Sequence, residues 1–479
     1  MSLLTPDICV VGGGSGGLSV AAGAAQMGAD TVLVERAKMG GDCLNYGCVP
    51  SKSLLAAAKA ARHVHEAARF GIEAGPPRVD YAAVQRHVRG VIEAIAPTDS
   101  VERFEGLGVR VIRDQARFRN AREIEAGGTI IRARRFVLAT GSHPAVPPIP
   151  GLADVPYLTN ESIFDLAGLP EHLIVLGGGP IGVEMAQAHR LLGSRVSLVE
   201  AVSLLGKDDP ELVDVVRRRL KADGIALHEA TKATAVARAP GDAIAVEAGD
   251  GTTATRLVGS HLLVATGRVP TIDGLELDKA GIAHTRAGIT VDARLRTTNR
   301  RVFAIGDVAG ALQFTHVAGY HAGVVIRNAL FRQPARASHA TIPWVTYGDP
   351  ELAQVGLTEA QARAATNDEL RILRWSLAEN DRARAEGGPI GGFDGALKAV
   401  VTRRGRLLGC GIVSRQAGEL IQPWVLAMSA GLGIRALATM VAPYPTLGEI
   451  SKRAAGSFYV PTLFSKRTRR LVRLLRLFG

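Results

Sequence analysis

The chain has 479 residues, 47% of them hydrophobic, which suits roughly three domains of about 150 residues and excludes a small module or a disordered tail. Aromatic residues reach only 5% while glycines number 55, a balance of α/β folds whose tight turns meet nucleotides, and four cysteines cannot build a disulfide scaffold. The net charge of +12 comes without zinc-finger spacing, a basic-zipper repeat or a basic stripe interleaved with aromatics, so no nucleic-acid partner is expected.

Met1 to Thr5 carries no basic region of the kind that opens an export signal, and a cytoplasmic location is expected. Asp7 to Asp30 is free of charge between its ends, but seven glycines there fit a strand, a turn and a helix better than a membrane span. The apolar run Ile8-Cys9-Val10-Val11 leads into Gly12-Gly13-Gly14-Ser15-Gly16-Gly17, an alanine-rich helix pattern, and a second run Thr31 to Val34 that ends at Glu35. The same order returns as Leu173 to Leu176, Gly177-Gly178-Gly179-Pro180-Ile181-Gly182, a helix through Glu184, and Val196 to Val199 ending at Glu200.

Phe136 to Gly141 and Leu262 to Arg268 each read as a strand closing on Ala-Thr-Gly, and Val302 to Ile305 runs into Gly306-Asp307. Pro144 to Pro150 and the turn at Pro270 are the expected linkers. Beyond Pro343 the pattern becomes strand-like alternation, as in Ala396 to Val401 and Leu407 to Val413, with helices over Ser414 to Gly431 and Leu447 to Tyr459. The expected fold is α/β: two Rossmann-like dinucleotide-binding domains and a C-terminal α+β domain. The boundaries are 1–148 with its return at 271–342, an inserted unit at 149–270, the α+β domain at 343–463, and a basic tail at 464–479.

A Gly-x-Gly-x-x-Gly turn permits a sharp bend and close backbone approach, and the helix N-terminus behind it offers free N–H groups and partial positive charge to a pyrophosphate. Two such turns, each followed by an acid that suits a ribose, point to a relay between a flavin and a nicotinamide. Glu200 repels a 2′-phosphate and no Arg follows before Lys207, so NADH is preferred over NADPH.

Cys43 and Cys48 form the one close cysteine pair, within Gly40 to Lys52. A helix over Ser51 to Ala68 places Cys48 beside its N-terminus, where the dipole favours a thiolate and suits a dithiol that exchanges electrons. A structural zinc needs two more ligands. Cys9 and Cys410 lie in apolar runs as inert thiols, and no HExxH pair exists, so no resident metal is expected.

The segment Gly40 to Lys52, both glycine turns, both Ala-Thr-Gly runs and Gly306-Asp307 resemble the class I flavoprotein disulfide reductases, the group of dihydrolipoamide dehydrogenase, glutathione reductase and mercuric reductase. The resemblance covers nearly the whole chain. It implies FAD on Gly12, Gly14, Gly17 and Glu35, with Ala116, Thr140, Gly141, Gly306, Asp307 and Thr315 as further contacts and Lys52, paired to Glu184, near the flavin N5. It implies NADH on Gly177, Gly179, Gly182, Glu200 and Gly267. Cys48 becomes the thiolate stacked on the flavin, and Cys43 the outer thiol that meets the acceptor. The α+β domain becomes the interface of a homodimer.

Disulfide-reducing members of this group carry a His-Pro-Thr motif followed by Glu, supplied by the other subunit to move the thiol proton. Here the stretch reads Pro443-Tyr444-Pro445-Thr446-Leu447-Gly448-Glu449. A phenol with a pKa near 10 is a poor base at neutral pH, and losing such a base costs about 10²–10⁴ in rate. A soft ion such as Hg(II) binds thiolates directly and needs electrons more than a proton shuttle. The chain therefore resembles mercuric reductases, which have Tyr at this place, although its last residues lack their vicinal cysteine pair, no extra N-terminal metal-binding domain is visible, and Glu200 departs from their NADPH preference. The acceptor is a small molecule or a metal ion, with copper(II) and quinones also open. The alternatives are a dihydrolipoamide dehydrogenase with Tyr in place of its base, and a slow redox sensor whose flavin NADH reduces without sustained turnover.

The tail carries Lys466, Arg467, Arg469, Arg470, Arg473 and Arg476 and no acid. As a helix it sets Phe464, Thr468, Leu471, Val472, Leu475 and Phe478 on one face, with Leu474 and Leu477 widening the stripe. That pattern suits peripheral contact with an anionic membrane, or packing on the dimer partner.

Overall fold

The computed structural model describes residues 2–251, 254–310, 312–387 and 395–478; Gly479, the end of the tail, lies outside them. The first glycine turn connects strand β1 (Ile8–Val11) to helix α1 (Ser15–Gln26), which returns to β2 (Thr31–Val34). The segment that carries the close cysteine pair follows as a short helix α2 (Gly41–Asn45) and the long α3 (Cys48–Glu66). Strands β3 (Val109–Ile112) and β4 (Arg135–Leu138) continue the sheet. The second unit repeats the design with β5 (His172–Leu176), α4 (Pro180–Leu192), β6 (Arg195–Val199), β7 (Ala226–His228) and β8 (His261–Val264). The chain then returns to the first sheet as β9 (Val302–Ala304) and helix α5 (Thr315–Ala329).

The first sheet has order β9-β4-β1-β2-β3 and the second β7-β6-β5-β8, all parallel. In each, the glycine-turn strand lies between the strand that ends in an acid and the one that runs into Ala-Thr-Gly. Val10 pairs with Leu33 and Val137 just as Val175 pairs with Leu198 and Leu263. β1 and β2 are buried throughout, as strands covered by helices on both faces must be.

Helix α3 does not pack only on its own unit. Leu54, Leu55 and Ala58 share a core with Val183 and Ala186 of α4, so the helix that begins at the cysteine pair is wedged against the second unit. On the other side α1 and α5 approach so closely that a Cβ at Gly16 would stand 3.1 Å from the Ala318 Cβ, which sets the start of α5 beside the cysteines.

After Pro343 comes an antiparallel sheet of β10 (Pro343–Thr346), β11 (Glu351–Gly356), β12 (Leu370–Ser376), β13 (Ala396–Thr402) and β14 (Leu407–Ser414), in the order β10-β11-β14-β13-β12. The alternation read from the sequence does not carry through: β13 and β14 are buried almost end to end, because helices cover one face and the second unit reaches the other, Leu212 meeting Gly411. The helix expected over Ser414 to Gly431 is two pieces, Ala417–Leu420 and Gln422–Ser429, the second restarting with a proline in its first turn. Leu447 to Tyr459 holds α6 (Glu449–Ser457), and the tail forms α7 (Lys466–Leu475).

Candidate active site

The two glycine turns are near copies in space. Gly12 and Gly177 have φ of +110° and +109°, and a Cβ at either would collide with the carbonyl oxygen of Ala139 or Ala265. A Cβ at Gly17 or Gly182 would collide with the Gly12 or Gly177 carbonyl. Glycine at these positions lets strand, turn and helix pack tightly enough to leave helix N–H groups open to a pyrophosphate. Glu35 accepts from the N–H groups of Gly13 (2.5 Å) and Ala37 (2.6 Å), and Glu200 from Gly178 (2.6 Å) and Val202 (2.8 Å). Each acid is thus fixed over its own turn.

Helix α3 starts at Cys48, three residues earlier than the sequence suggests, with Gly47 as an N-cap that supplies no side-chain oxygen. The first-turn dipole therefore acts on the sulfur itself. Cys48 Sγ lies 3.3 Å from Thr315 Oγ1, the first residue of α5. The neighbouring Cys43 thiol, with Thr315 and Lys52, outweighs burial and brings Cys48 down to about 6. The Cys48 sulfur, together with burial, pushes Cys43 far above the ordinary thiol range. The pair is thus biased in opposite directions, Cys48 toward thiolate and Cys43 toward thiol. Cys9 and Cys410 are buried, and burial raises both thiols, as inert cysteines require.

Lys52 Nζ is 2.7 Å from Glu184 Oε2, whose other oxygen accepts from the Tyr347 N–H at 2.9 Å, and the ammonium lies 4.5 Å from the centre of the Tyr347 ring. Burial pulls the Lys52 ammonium down, but the Glu184 carboxylate prevails and holds it above its ordinary value. Asp307 accepts from Ser142 Oγ at 2.6 Å, and burial raises its carboxyl above the usual range.

These groups line one continuous cleft of about 2260 Å³ that runs from Glu35 and Ala116 past Thr140, Gly141, Gly306, Asp307, the cysteines and Lys52 to Glu184, Gly267, Gly179 and Glu200. A cleft of that volume, with a glycine turn and an acid at both ends and a thiol pair between, has room for two dinucleotides. Tyr444 and Glu449 are not brought to the cleft within one chain. Tyr444 is 68% exposed and donates to Asp381 Oδ2 at 3.0 Å, a bond that raises its phenol further above neutrality. Glu449 opens α6 with Arg453 at 3.9 Å. Sequence reasoning passed over Asn160, Ser142, Tyr347 and the side chain of Arg268; only Arg268, closing the second Ala-Thr-Gly run, carried a visible cue.

A fold that sets two dinucleotide turns on either side of a thiol pair defines a dithiol oxidoreductase served by two cofactors. Residues 6–322 match the model of the pyridine nucleotide-disulphide oxidoreductases, and residues 342–455 that of their dimerisation domain. Mercuric reductase of Streptomyces lividans is 37% identical over 465 residues, covering 94% of this chain and 96% of the relative. Dihydrolipoyl dehydrogenase of Thermus scotoductus is 35% identical over 467 residues, covering 95% and 98%. Among solved structures, the Cu(II) complex of the HOCl-induced flavoprotein disulfide reductase RclA from Escherichia coli superposes with a TM-score of 0.83 at 27% identity, covering 93% of this chain and 98% of that one. The chain belongs to the class I pyridine nucleotide-disulfide oxidoreductases, and it is an FAD-dependent oxidoreductase that uses a pyridine nucleotide.

Proposed function

We propose that the protein carries electrons from NADH, through FAD, to the Cys43–Cys48 pair and on to a soft metal ion bound by those sulfurs. The observation that carries this reading is Tyr444, a phenol tied to Asp381 where a proton-shuttling imidazole would serve a disulfide. With Hg(II) presented as a thiol complex the reaction balances as NADH, one proton and Hg(SR)₂ giving NAD⁺, elemental mercury and two thiols. The flavin, when bound, accepts a hydride and passes on an electron pair. Lys52, fixed by Glu184, would supply a positive charge beside a bound flavin, Cys48 would be the sulfur that exchanges electrons with it, and Cys43 would be the sulfur offered to the acceptor. The names of relatives lend support, since they include mercuric reductases and a flavoprotein solved with Cu(II).

The nucleotide proposed is NADH, because the Glu200 carboxylate is anchored over the turn by two backbone N–H groups and cannot easily swing from a 2′-phosphate. In a homodimer, Tyr444 and Glu449 come from the partner subunit to complete each site. The dihydrolipoamide dehydrogenase reading keeps a specific observation of its own, the relative from Thermus scotoductus. Steady-state NADH oxidation with Hg(II)-thiol complex and with oxidised lipoamide, run side by side, separates the two: turnover with mercury alone supports the metal reading, and turnover with lipoamide overturns it.

The tail is proposed as a peripheral contact with anionic lipid at the inner face of the membrane. None of the described residues of α7 is buried, and Phe464, Leu471, Val472, Leu474, Leu475, Leu477 and Phe478 are 52–80% exposed. Among the described residues no helix is long and apolar enough to cross a membrane. Removing residues 464–479 is expected to abolish sedimentation with phosphatidylglycerol vesicles; unchanged sedimentation contradicts this contact.

A further inference from the structure

The turn that follows Glu200 walls the cleft beside the second glycine run: Val202, Ser203, Leu205, Gly206, Lys207 and Asp208 all line it. One part of this turn is tied to the glycine run, since the Leu205 N–H donates to the Gly178 carbonyl at 2.9 Å. Its far end is tied to the α+β domain, by two attachments of different kind. Lys398 of β13 reaches Asp209 at 2.9 Å, Glu211 at 2.9 Å and Glu359 at 3.0 Å, and both Lys398 and Asp209 are buried, Asp209 also capping the helix Pro210–Ala222. Trp344 of β10 instead lines the cleft itself and donates its indole N–H to Asp208 Oδ1 at 2.7 Å. An indole has one donor, and a carboxylate gives it a charge-assisted partner.

We propose that Trp344 is a positioning residue for the nicotinamide nucleotide: its bond to Asp208 fixes the wall of the nucleotide site from the α+β domain, so affinity in the second unit depends on a residue outside it. This rests on the reading of the second glycine turn as the nucleotide site. A wall held at both ends is already in its bound shape, and one freed at Asp208 must be ordered at the expense of binding. Burial raises the Asp208 carboxyl to about 6, against the Trp344 N–H and the Lys207 ammonium, which pull it down, and with Asp209, which pushes it up. Lys398 stands behind Asp209 with Glu211 and Glu359, and on the β10 side the His316 imidazole bonds the Pro343 carbonyl at 2.8 Å. Above that range Asp208 is a carboxylate and takes the indole N–H with full charge assistance. As the pH falls through it, the proton arrives, the bond weakens and the wall loosens.

The test is calorimetric titration of NAD⁺ into the oxidised holoenzyme between pH 5 and 8, beside stopped-flow reduction of the flavin by NADH. Trp344→Phe keeps a ring and removes the donor. It is expected to weaken NAD⁺ binding by roughly three- to tenfold at pH 7.5 and to raise the half-saturating NADH concentration in the same proportion, with the limiting rate of flavin reduction within about twofold of the parent. The pH midpoint of binding should move up in that variant, because the bond that favours the carboxylate is gone, and should vanish in Asp208→Asn. With Asp208→Ala already present, Trp344→Phe should cost nothing more. Unchanged affinity in Trp344→Phe, an equal loss with and without Asp208→Ala, or a fall confined to the limiting rate overturns the proposal. Should Trp344→Phe fail to fold with FAD, Asp208→Asn decides, and a pH profile like the parent's contradicts the role of the pair. If Glu200→Gln leaves the affinities for NAD⁺ and NADP⁺ both unchanged, the placing of the nucleotide on the second turn fails, a result distinct from the response to Trp344.

Discussion

Lys52, one turn into the helix that begins at Cys48, is ion-paired with Glu184 of the second unit at 2.7 Å. The pair ties the redox helix to the neighbour of the second glycine turn, so the thiol site is assembled from both halves of the repeat. Glu184→Gln keeps an acceptor for the Tyr347 N–H but leaves Lys52 without its counter-charge. Because solvent reaches Lys52, the cost stays below that of a fully buried pair, about 1–3 kcal/mol in a denaturant melt of the holoenzyme. Flavin reduction by NADH, followed by stopped flow, should slow in the same variant.

The Cys43 thiol is the largest influence holding Cys48 at about 6. A hydrogen bond to the charged form favours it, so removing the donor must raise the titration. Cys43→Ala is therefore expected to shift alkylation of Cys48 upward by a unit or more, toward the ordinary thiol range. Cys43→Ser, which retains a donor, should shift it less.

Glu200 is held by the N–H groups of Gly178 and Val202, and its charge stands over the second turn. Glu200→Gln preserves an acceptor and removes the charge. The ratio of kcat/KM for NADH to that for NADPH should fall by roughly tenfold, equivalent to about 1.4 kcal/mol of transition-state discrimination. An unchanged ratio places nucleotide choice elsewhere.

Tyr444 is exposed, bonded to Asp381 and raised above its ordinary value, so it holds its proton through the physiological range. Tyr444→His introduces a group that titrates near neutrality. Turnover with oxidised lipoamide should rise by about 10²–10⁴ in that variant, with a pH profile reporting the new imidazole. No gain indicates that position 444 does not decide which acceptor is reduced.

The parts of the site legible in the sequence are those set by local chemistry. Gly12 and Gly177 must adopt positive φ, and a strand, a glycine run and an alanine-rich helix announce that turn without any long-range contact. The cysteine pair and Tyr444 are equally local. What escaped are the groups brought together across the repeat: Arg268 meets Asp42 and Asn160 only once both units are packed on α3, and no periodicity encodes that meeting. The start of α3 at Cys48 was missed because Gly47 and Cys48 carry no capping signature, the N-cap offering only backbone. The near-complete burial of β13 and β14 was likewise hidden, since alternation reports one covered face and this sheet has two.

The most direct test of the account is the stoichiometry of elemental mercury released per NADH oxidised, measured without oxygen on Hg(II) held as a thiol complex. A relay from NADH through the Cys43–Cys48 pair to the metal predicts one mercury atom per NADH, lost entirely in Cys43→Ala. NADH consumption with no mercury vapour, or vapour release that persists in Cys43→Ala, contradicts it.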